Sequence, residues 1–158
     1  MSDGLTAVTV RSATPEAAEV LVELLRGGAI DTSDEDPGDL TPYRAALVEI
    51  GESPGTEILV AEQYGQVAGT CQLITFRHLQ HRGGRCAEIE SMHVAPERRG
   101  TGIGGLLLEA AVDAARAAGC YRVQLTSNAA RADAHRFYER QGFTGSHVGF
   151  KRLLESPG

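Results

Sequence analysis

The sequence predicts an α/β (α+β) chain folded as one domain around a mixed β-sheet. Three observations predict it. Stretches of alternating apolar and polar residues are interleaved with stretches of helical period. Ile58 to Glu62 and Val67 to Phe76 are divided only by Gln63-Tyr64-Gly65-Gln66, which reads as a hairpin and so as an antiparallel pair. From Cys86 to Thr126 the order is strand, helix, strand, and a crossover helix of that length brings its two strands together in parallel.

Each element has its own signal. Leu5 to Arg11 alternates around Val8 and Val10, a first strand. Thr14-Pro15-Glu16 supplies the residue types of an N-cap, a first-turn proline and a first-turn acid. Ala17, Val20, Leu21, Leu24 and Leu25 continue as a helical stripe, which Gly27-Gly28 ends. An acidic loop follows. Thr41-Pro42 repeats the helix-start signal for a short helix from Tyr43 to Ile50, and Gly51 to Gly55 turns the chain into the hairpin. Arg77 to Arg85 is a basic loop carrying Gly83-Gly84, and Cys86 to Val94 is the next strand. After a turn from Pro96 to Thr101, Gly102 to Ala118 is a long helix. Glu109, Asp113 and Arg116 share one of its faces, and Gly119 closes it as a left-handed cap. Tyr121, Val123 and Leu125 alternate as the parallel strand. Ala130 to Gln141 is a further helix capped by Gly142, with Phe143 placed to pack back on Phe137 or Tyr138. His147 to Leu153 is a last strand.

Composition narrows the function classes. The chain has 158 residues, enough for one domain with a sizeable core. It is 42% hydrophobic and 23% charged, the balance of a globular protein, and no run of about 18 apolar residues suggests a membrane span. The start, Met1-Ser2-Asp3-Gly4, lacks the basic and apolar regions of a secretory signal. Cys71, Cys86 and Cys120 have neither metal nor redox spacing and sit in apolar contexts, so they read as buried reduced thiols. These features point to the cytoplasm and to no membrane partner. The formal charge is −6, and five acids lie in one segment: Asp31, Asp34, Glu35, Asp36 and Asp39. Without them fifteen basic residues face sixteen acids, so the acidity is local. Nucleic acid, which demands basic surface, is not an expected partner.

Arg98-Arg99-Gly100-Thr101-Gly102-Ile103-Gly104-Gly105 carries the most information. Its glycines let backbone approach a ligand closely. It opens into a helix whose first amides are unpaired donors at the positive end of the dipole. That is a site for a phosphate or pyrophosphate. Gly100-x-Gly102-x-x-Gly105 has the form of the dinucleotide fingerprint, yet Ala95 to Arg99 separate it from the strand. The following strand also ends in Leu125-Thr126-Ser127-Asn128, without the acid that ribose recognition needs. A P-loop is excluded because Leu106 stands where lysine is required.

The segment Arg99-x-x-Gly102-x-Gly104 resembles the pyrophosphate signature of the GNAT family of N-acetyltransferases. Ile89-Glu90-Ser91-Met92-His93-Val94-Ala95-Pro96 before it looks like that family's fourth strand. Asn128, then Ala134-His135-Arg136-Phe137-Tyr138-Glu139, then Gly142-Phe143, look like its second block. Order and spacing fit from about Cys86 to Phe143. The resemblance implies a GNAT-like fold over residues 5–154, with a mixed central sheet of about six to seven strands flanked by about four helices. It implies acetyl transfer from acetyl-CoA to a primary amine of a small molecule or protein, and leaves room for a homodimer. Carried over residue by residue, coenzyme A pyrophosphate falls to Arg99, Gly100, Thr101, Gly102, Ile103 and Gly104. The pantetheine arm falls to the backbone of Met92, His93 and Val94, between the fourth and fifth strands. Asn128 and Phe137 line the far side. Arg131 either reaches a phosphate or is an exposed helical arginine. The acceptor site lies with the first two helices and the variable loops, which carry no readable motif. The alternative function is a non-catalytic acyl-CoA-binding regulatory module of the same fold.

The chemistry gives the remaining candidates their roles. An amine attacks a thioester only when neutral, so a base or a water relay helps. The oxyanion needs a donor, and an amide near Met92 to Val94 suits. The departing thiolate needs a proton, and a phenol with pKa near 10 can supply it. Tyr138 holds the position of the family's proton-donating tyrosine; otherwise it is a core aromatic with a satisfied hydroxyl. Glu88 and Glu90 are two apart on one strand and share a face. Burial raises a carboxyl pKa toward that of a base, and the plainer alternative is an exposed strand end or an ion pair with Arg85. His78 and His81 are spaced like metal ligands but lack a third, so the basic loop reads as solvated and no metal is expected.

Overall fold

The computed structural model describes residues 7–29 and 34–155. Leu5 and Thr6 of the expected first strand, and Asp31 of the acidic loop, lie outside the described residues. The chain divides into two compact units, Met1–Leu125 and Thr126–Gly158.

The first unit holds one sheet of order β1-β2-β3-β4-β5. Its strands are β1 (Thr9–Ser12), β2 (Thr56–Gln63), β3 (Gln66–Arg77), β4 (Arg85–Val94) and β5 (Cys120–Leu125). Neighbours from β1 to β4 pair antiparallel, and β4 pairs β5 in parallel. Both the hairpin and the crossover read from the sequence are therefore present. The β2–β3 turn is made by Tyr64 and Gly65, each at positive φ (54° and 73°). Two such residues give a loop whose twist matches that of the strands.

Helices cover both faces. α1 (Ala18–Gly27) follows a 3-10 turn, Pro15–Ala17, and buries Ala18, Leu21, Val22 and Leu24. Thr14 is extended, as an N-cap residue should be, but makes no side-chain cap bond. Its hydroxyl bonds instead to Glu16, whose carboxyl pKa is lowered by that bond. α2 (Thr41–Glu52) begins at the Thr-Pro signal. α4 (Ile103–Ala117) buries Ile103, Leu107, Leu108, Ala111 and Ala115. Its other side carries Arg116, which pairs with Asp113 at 2.6 Å and Glu109 at 3.4 Å.

Alternation along the strands assigns the faces. Val60 packs with Leu21 and Leu24 of α1, so Val60 and its partner Thr70 face α1. Gly69, one residue on, faces α4: a Cβ there would stand 3.5 Å from Leu107. Burial raises the pKa of the Cys71 thiol to about 12, so it stays protonated. The three thiols form no disulfide.

The basic loop departs from expectation. Gln80–Gly83 (α3) is a single turn in which His81, Arg82 and Gly83 all take positive φ. Tyr121 organises it: His78 Nε2 lies 2.8 Å from the Tyr121 hydroxyl, and the His81 ring stacks on Tyr121 at 4.0 Å. His81 and Arg82 stay exposed, so the loop is solvated as expected, and both histidines contact the Tyr121 ring or hydroxyl.

The second unit contains α5 (Ala132–Arg140). No strand forms at His147 to Leu153, so the expected last strand is not present, and among the described residues the sheet has five strands rather than about six to seven. Alternation supplied the pattern, but a strand exists only when its amides find a ladder, and residues 144–155 enter none. Val148, Phe150, Leu153 and Leu154 are correspondingly 78–93% exposed.

Candidate active site

The glycine turn is built by its neighbours. β4 ends at Val94, and the Ala95 amide is held by the Ala68 carbonyl at 2.8 Å. Pro96–Arg98 then forms a 3-10 turn. The two arginines that follow diverge. Arg98 donates to Gln63 and lies over the Tyr64 ring, anchoring the turn to the β2–β3 hairpin. Arg99 Nε donates to the Val94 carbonyl at 3.2 Å and the residue is exposed, so of the pair Arg99 is the one beside the glycines and open to solvent. Gly100 and Gly102 take φ of 75° and 91°, a left-handed region that costs a side chain about 1–2 kcal/mol. The Gly100 Cβ position is open. Gly102 is the N-cap of α4, and its carbonyl takes the first helical bond, from the Leu106 amide. The amides of Ile103, Gly104 and Gly105 precede that bond at the positive end of the helix. A pyrophosphate fits this cradle: open space at the Gly100 Cβ position, first-turn amides that precede the first helical bond, and one arginine.

β4 leads into the turn and is irregular where the chemistry is expected. Opposite β3 its register jumps from Gln72–Glu90 to Thr70–His93. Cys71 therefore faces two residues, Ser91 and Met92, a bulge on β4. Ser91 takes φ of 50°, rare for a residue with a Cβ. The β4–β5 ladder ends at Ile89–Leu125, and beyond it β4 keeps β3 as its ladder neighbour through Val94. Met92, His93 and Val94, the stretch expected to meet the pantetheine arm, lie in this segment.

Glu90 pairs in register with Gln72 and Glu88 with Ile74, so both carboxylates share the face that carries α1 and α2. Both are half-buried. Glu88 accepts a hydrogen bond from Gln124 Nε2 at 3.1 Å across the parallel ladder, a partner other than Arg85. His93 sits on the same face beneath the end of α1. A Cβ on Gly28 would stand 1.9 Å from His93 Nδ1, so only glycine fits there. Between α1, α2 and the bulge is a cavity of about 180 Å³, reaching Gln72 and Ser91.

In the second unit, Asn128 Oδ1 accepts the Ala130 amide at 2.9 Å and its carbonyl accepts the Arg131 amide at 3.0 Å, which sets the start of α5. Gly142 has φ of 90°, its amide bonds the Glu139 carbonyl at 3.1 Å, and the Phe143 amide bonds the Tyr138 carbonyl at 3.0 Å. This is the two-bond glycine cap with its hydrophobic contact, Phe143 against Tyr138 at 6.1 Å between rings. Tyr138 is flanked on its other side by Phe137 at 5.2 Å and is half-buried.

Arg99 to Gly104, Met92 to Val94, Glu88 and Glu90 thus lie together on the first unit, while Asn128, Phe137 and Tyr138 lie on the second. Sequence reasoning did not single out Ser91 or Gly28. Gly28 was legible only as a helix end, and no local pattern marks a bulge. Among the described residues no three His, Cys, Asp or Glu side chains cluster as a metal site, and no helix is long and apolar enough to cross a membrane.

The family model of acetyltransferases, GNAT, matches residues 21–143. The chain belongs to the GNAT family. Among its relatives is the aminoalkylphosphonate N-acetyltransferase of Salmonella typhimurium, 39% identical over 101 residues. That match covers 64% of this chain and 65% of the relative, so the chain spans just under two thirds of that protein's length. The aminoglycoside N(6')-acetyltransferase type 1 of Stenotrophomonas maltophilia is 27% identical over 94% of this chain and 95% of its own. A solved structure from Bacillus halodurans, described as a transcriptional regulator, superposes on this GNAT chain with a TM-score of 0.87 and 33% identity. It covers 94% of this chain and all of that one.

Proposed function

We propose that residues 5–154 form one N-acetyltransferase domain that moves an acetyl group from acetyl-CoA to a primary amine. The observation that carries the reading is the Arg99 to Gly104 cradle, which opens a helix at the end of a strand whose parallel ladder has already stopped. When bound, acetyl-CoA supplies an activated thioester. Arg99 and the backbone of Gly100, Thr101, Gly102, Ile103 and Gly104 hold its pyrophosphate. The backbone of Met92, His93 and Val94 aligns the arm, and an amide in that stretch takes the oxyanion. Asn128 and Phe137 line the far side. Tyr138 gives its proton to the departing thiolate as the carbon–sulfur bond breaks. Between the two carboxylates, Glu90 is the stronger candidate for the amine's proton. Its register partner Gln72 lines the cavity under α1 and α2. The unlinked thiols fit a cytoplasmic site of action.

The test is thiol release from acetyl-CoA across a panel of amines, beside calorimetry with coenzyme A. Amine-dependent thiol release is the expected outcome. Tight coenzyme A binding with no amine acetylated would replace the reading with a non-catalytic acyl-CoA-binding regulatory module. The name borne by the Bacillus halodurans neighbour favours that second reading.

A further inference from the structure

We infer that the amine acceptor carries its amino group on an apolar body about the size of a benzene ring, seated between α1 and α2. The inference rests on the acetyl-transfer reading and adds the substrate class. Two independent features carry it.

The first is the lining of the cavity beside the β4 bulge. Leu21, Leu25, Leu47, Ile50 and Ile58 supply its walls, and Tyr43 stands among them. No charged side chain lines it among the described residues. Its polar side chains are partly used: Thr70 Oγ1 donates to the Leu59 carbonyl at 2.9 Å, and Gln72 Nε2 to Thr56 Oγ1 at 3.3 Å. Ser91 stands where the cavity meets the bulge, next to Met92, His93 and Val94. A volume of about 180 Å³ matches apolar cavities that accept benzene, at about 150 Å³. A phosphonate or a polyhydroxylated sugar placed there would lose its water without gaining the arginines or hydrogen bonds that replace it. This separates the cavity from the acceptors named for the Salmonella and Stenotrophomonas relatives.

The second is the charge at the Tyr43 end. The Asp36 amide donates to the Tyr43 hydroxyl at 2.7 Å, bringing the acidic loop onto a lining residue. That hydrogen bond lowers the phenol pKa. Desolvation and the nearby Glu35 and Asp36 carboxylates outweigh it and leave the pKa raised. An ammonium ion approaching past these carboxylates is favoured, while a phosphonate is repelled. Apolar walls with an acidic approach suit an arylalkylamine or short alkylamine.

The experiment compares kcat/KM at fixed acetyl-CoA for ethylamine, butylamine, hexylamine, 2-phenylethylamine, an aminoalkylphosphonate and an aminoglycoside. Each buried methylene should raise kcat/KM by about fourfold, until the chain reaches about six carbons. 2-Phenylethylamine should exceed both polar acceptors. Ala46 lines the cavity from an exposed position on α2. Ala46→Phe should therefore fold and cut kcat/KM for 2-phenylethylamine by about tenfold or more, a larger loss than it causes for ethylamine. A flat amine series overturns the inference, as does a phosphonate or aminoglycoside at its head. So does a chain-length preference found only in the acyl donor, with hexanoyl-CoA outrunning acetyl-CoA on ethylamine. If no amine is acetylated, the acetyl-transfer reading fails instead. Calorimetry on the coenzyme A complex then decides the cavity alone: heat from 2-phenylethylamine but not from the aminoalkylphosphonate supports it, and the reverse, or heat from neither, overturns it.

Discussion

The glycine turn and the cavity under α1 and α2 are assembled in opposite ways. The turn from Arg99 to Gly104 is contiguous, and Gly100 and Gly102 take positive φ, so its sequence is constrained by backbone conformation. The cavity is drawn from α1, α2, β2, β3 and β4, and is lined by apolar side chains, Leu21 among them, that also belong to the core. Many apolar residues can build such walls, whereas only glycine sits easily at the turn's positive φ. The difference predicts which end varies. On the proposed function, the cofactor end is fixed by conformation, and the acceptor end is free to change with its substrate.

The largest effect expected is chemical. Tyr138→Phe should keep coenzyme A affinity and lower kcat by about 10²-fold or more, the scale of a lost general acid. Undiminished turnover would leave Tyr138 as the aromatic contact of the α5 cap. Gly102→Asp forces a side chain into left-handed backbone and sets a negative charge beside the pyrophosphate. Coenzyme A affinity by calorimetry should fall by about tenfold or more, and an unchanged affinity in a folded variant would remove the cradle from cofactor binding. Glu90→Gln should lose rate most at low pH, where more of the amine is protonated, and should lose more than Glu88→Gln. Indistinguishable pH–rate profiles would mean that water suffices as base.

Two smaller effects probe the acceptor end. Gly28→Ala must displace His93 and should cost about 1–3 kcal/mol, read as about 2–4 °C in Tm for each kcal/mol. Gly27→Ala, with nothing within 4 Å of its Cβ position, is the neutral control. If the two variants melt alike, the close fit of His93 beneath α1 is wrong. Least of all, replacing Asp34, Glu35 and Asp36 by Asn, Gln and Asn should lower kcat/KM for a cationic acceptor at low salt. Variant and parent should converge near 1 M salt, where the Debye length is about 3 Å. Equal values at low salt would leave the acidic loop without a part in substrate choice.

The sequence alone determined what depends on neighbours along the chain. The β2–β3 turn, the cap at Gly142 and the glycine turn are local devices, the first legible from the short link between its strands and the other two from glycines that tolerate positive φ. The parallel pairing of β4 and β5 followed as well, because a crossover helix leaves one solution. Tertiary structure decided what depends on partners distant in sequence. The alternating residues 147–153 look like a strand but enter no ladder, and alternation cannot report whether an edge is available. The Ser91 bulge exists only relative to β3, and its extra residue leaves no mark in β4 itself. Glu88 and Glu90 carry the same charge at adjacent same-face positions. That Gln124 bonds Glu88, and that Gln72 opposite Glu90 lines a cavity, depends on residues far away in the chain.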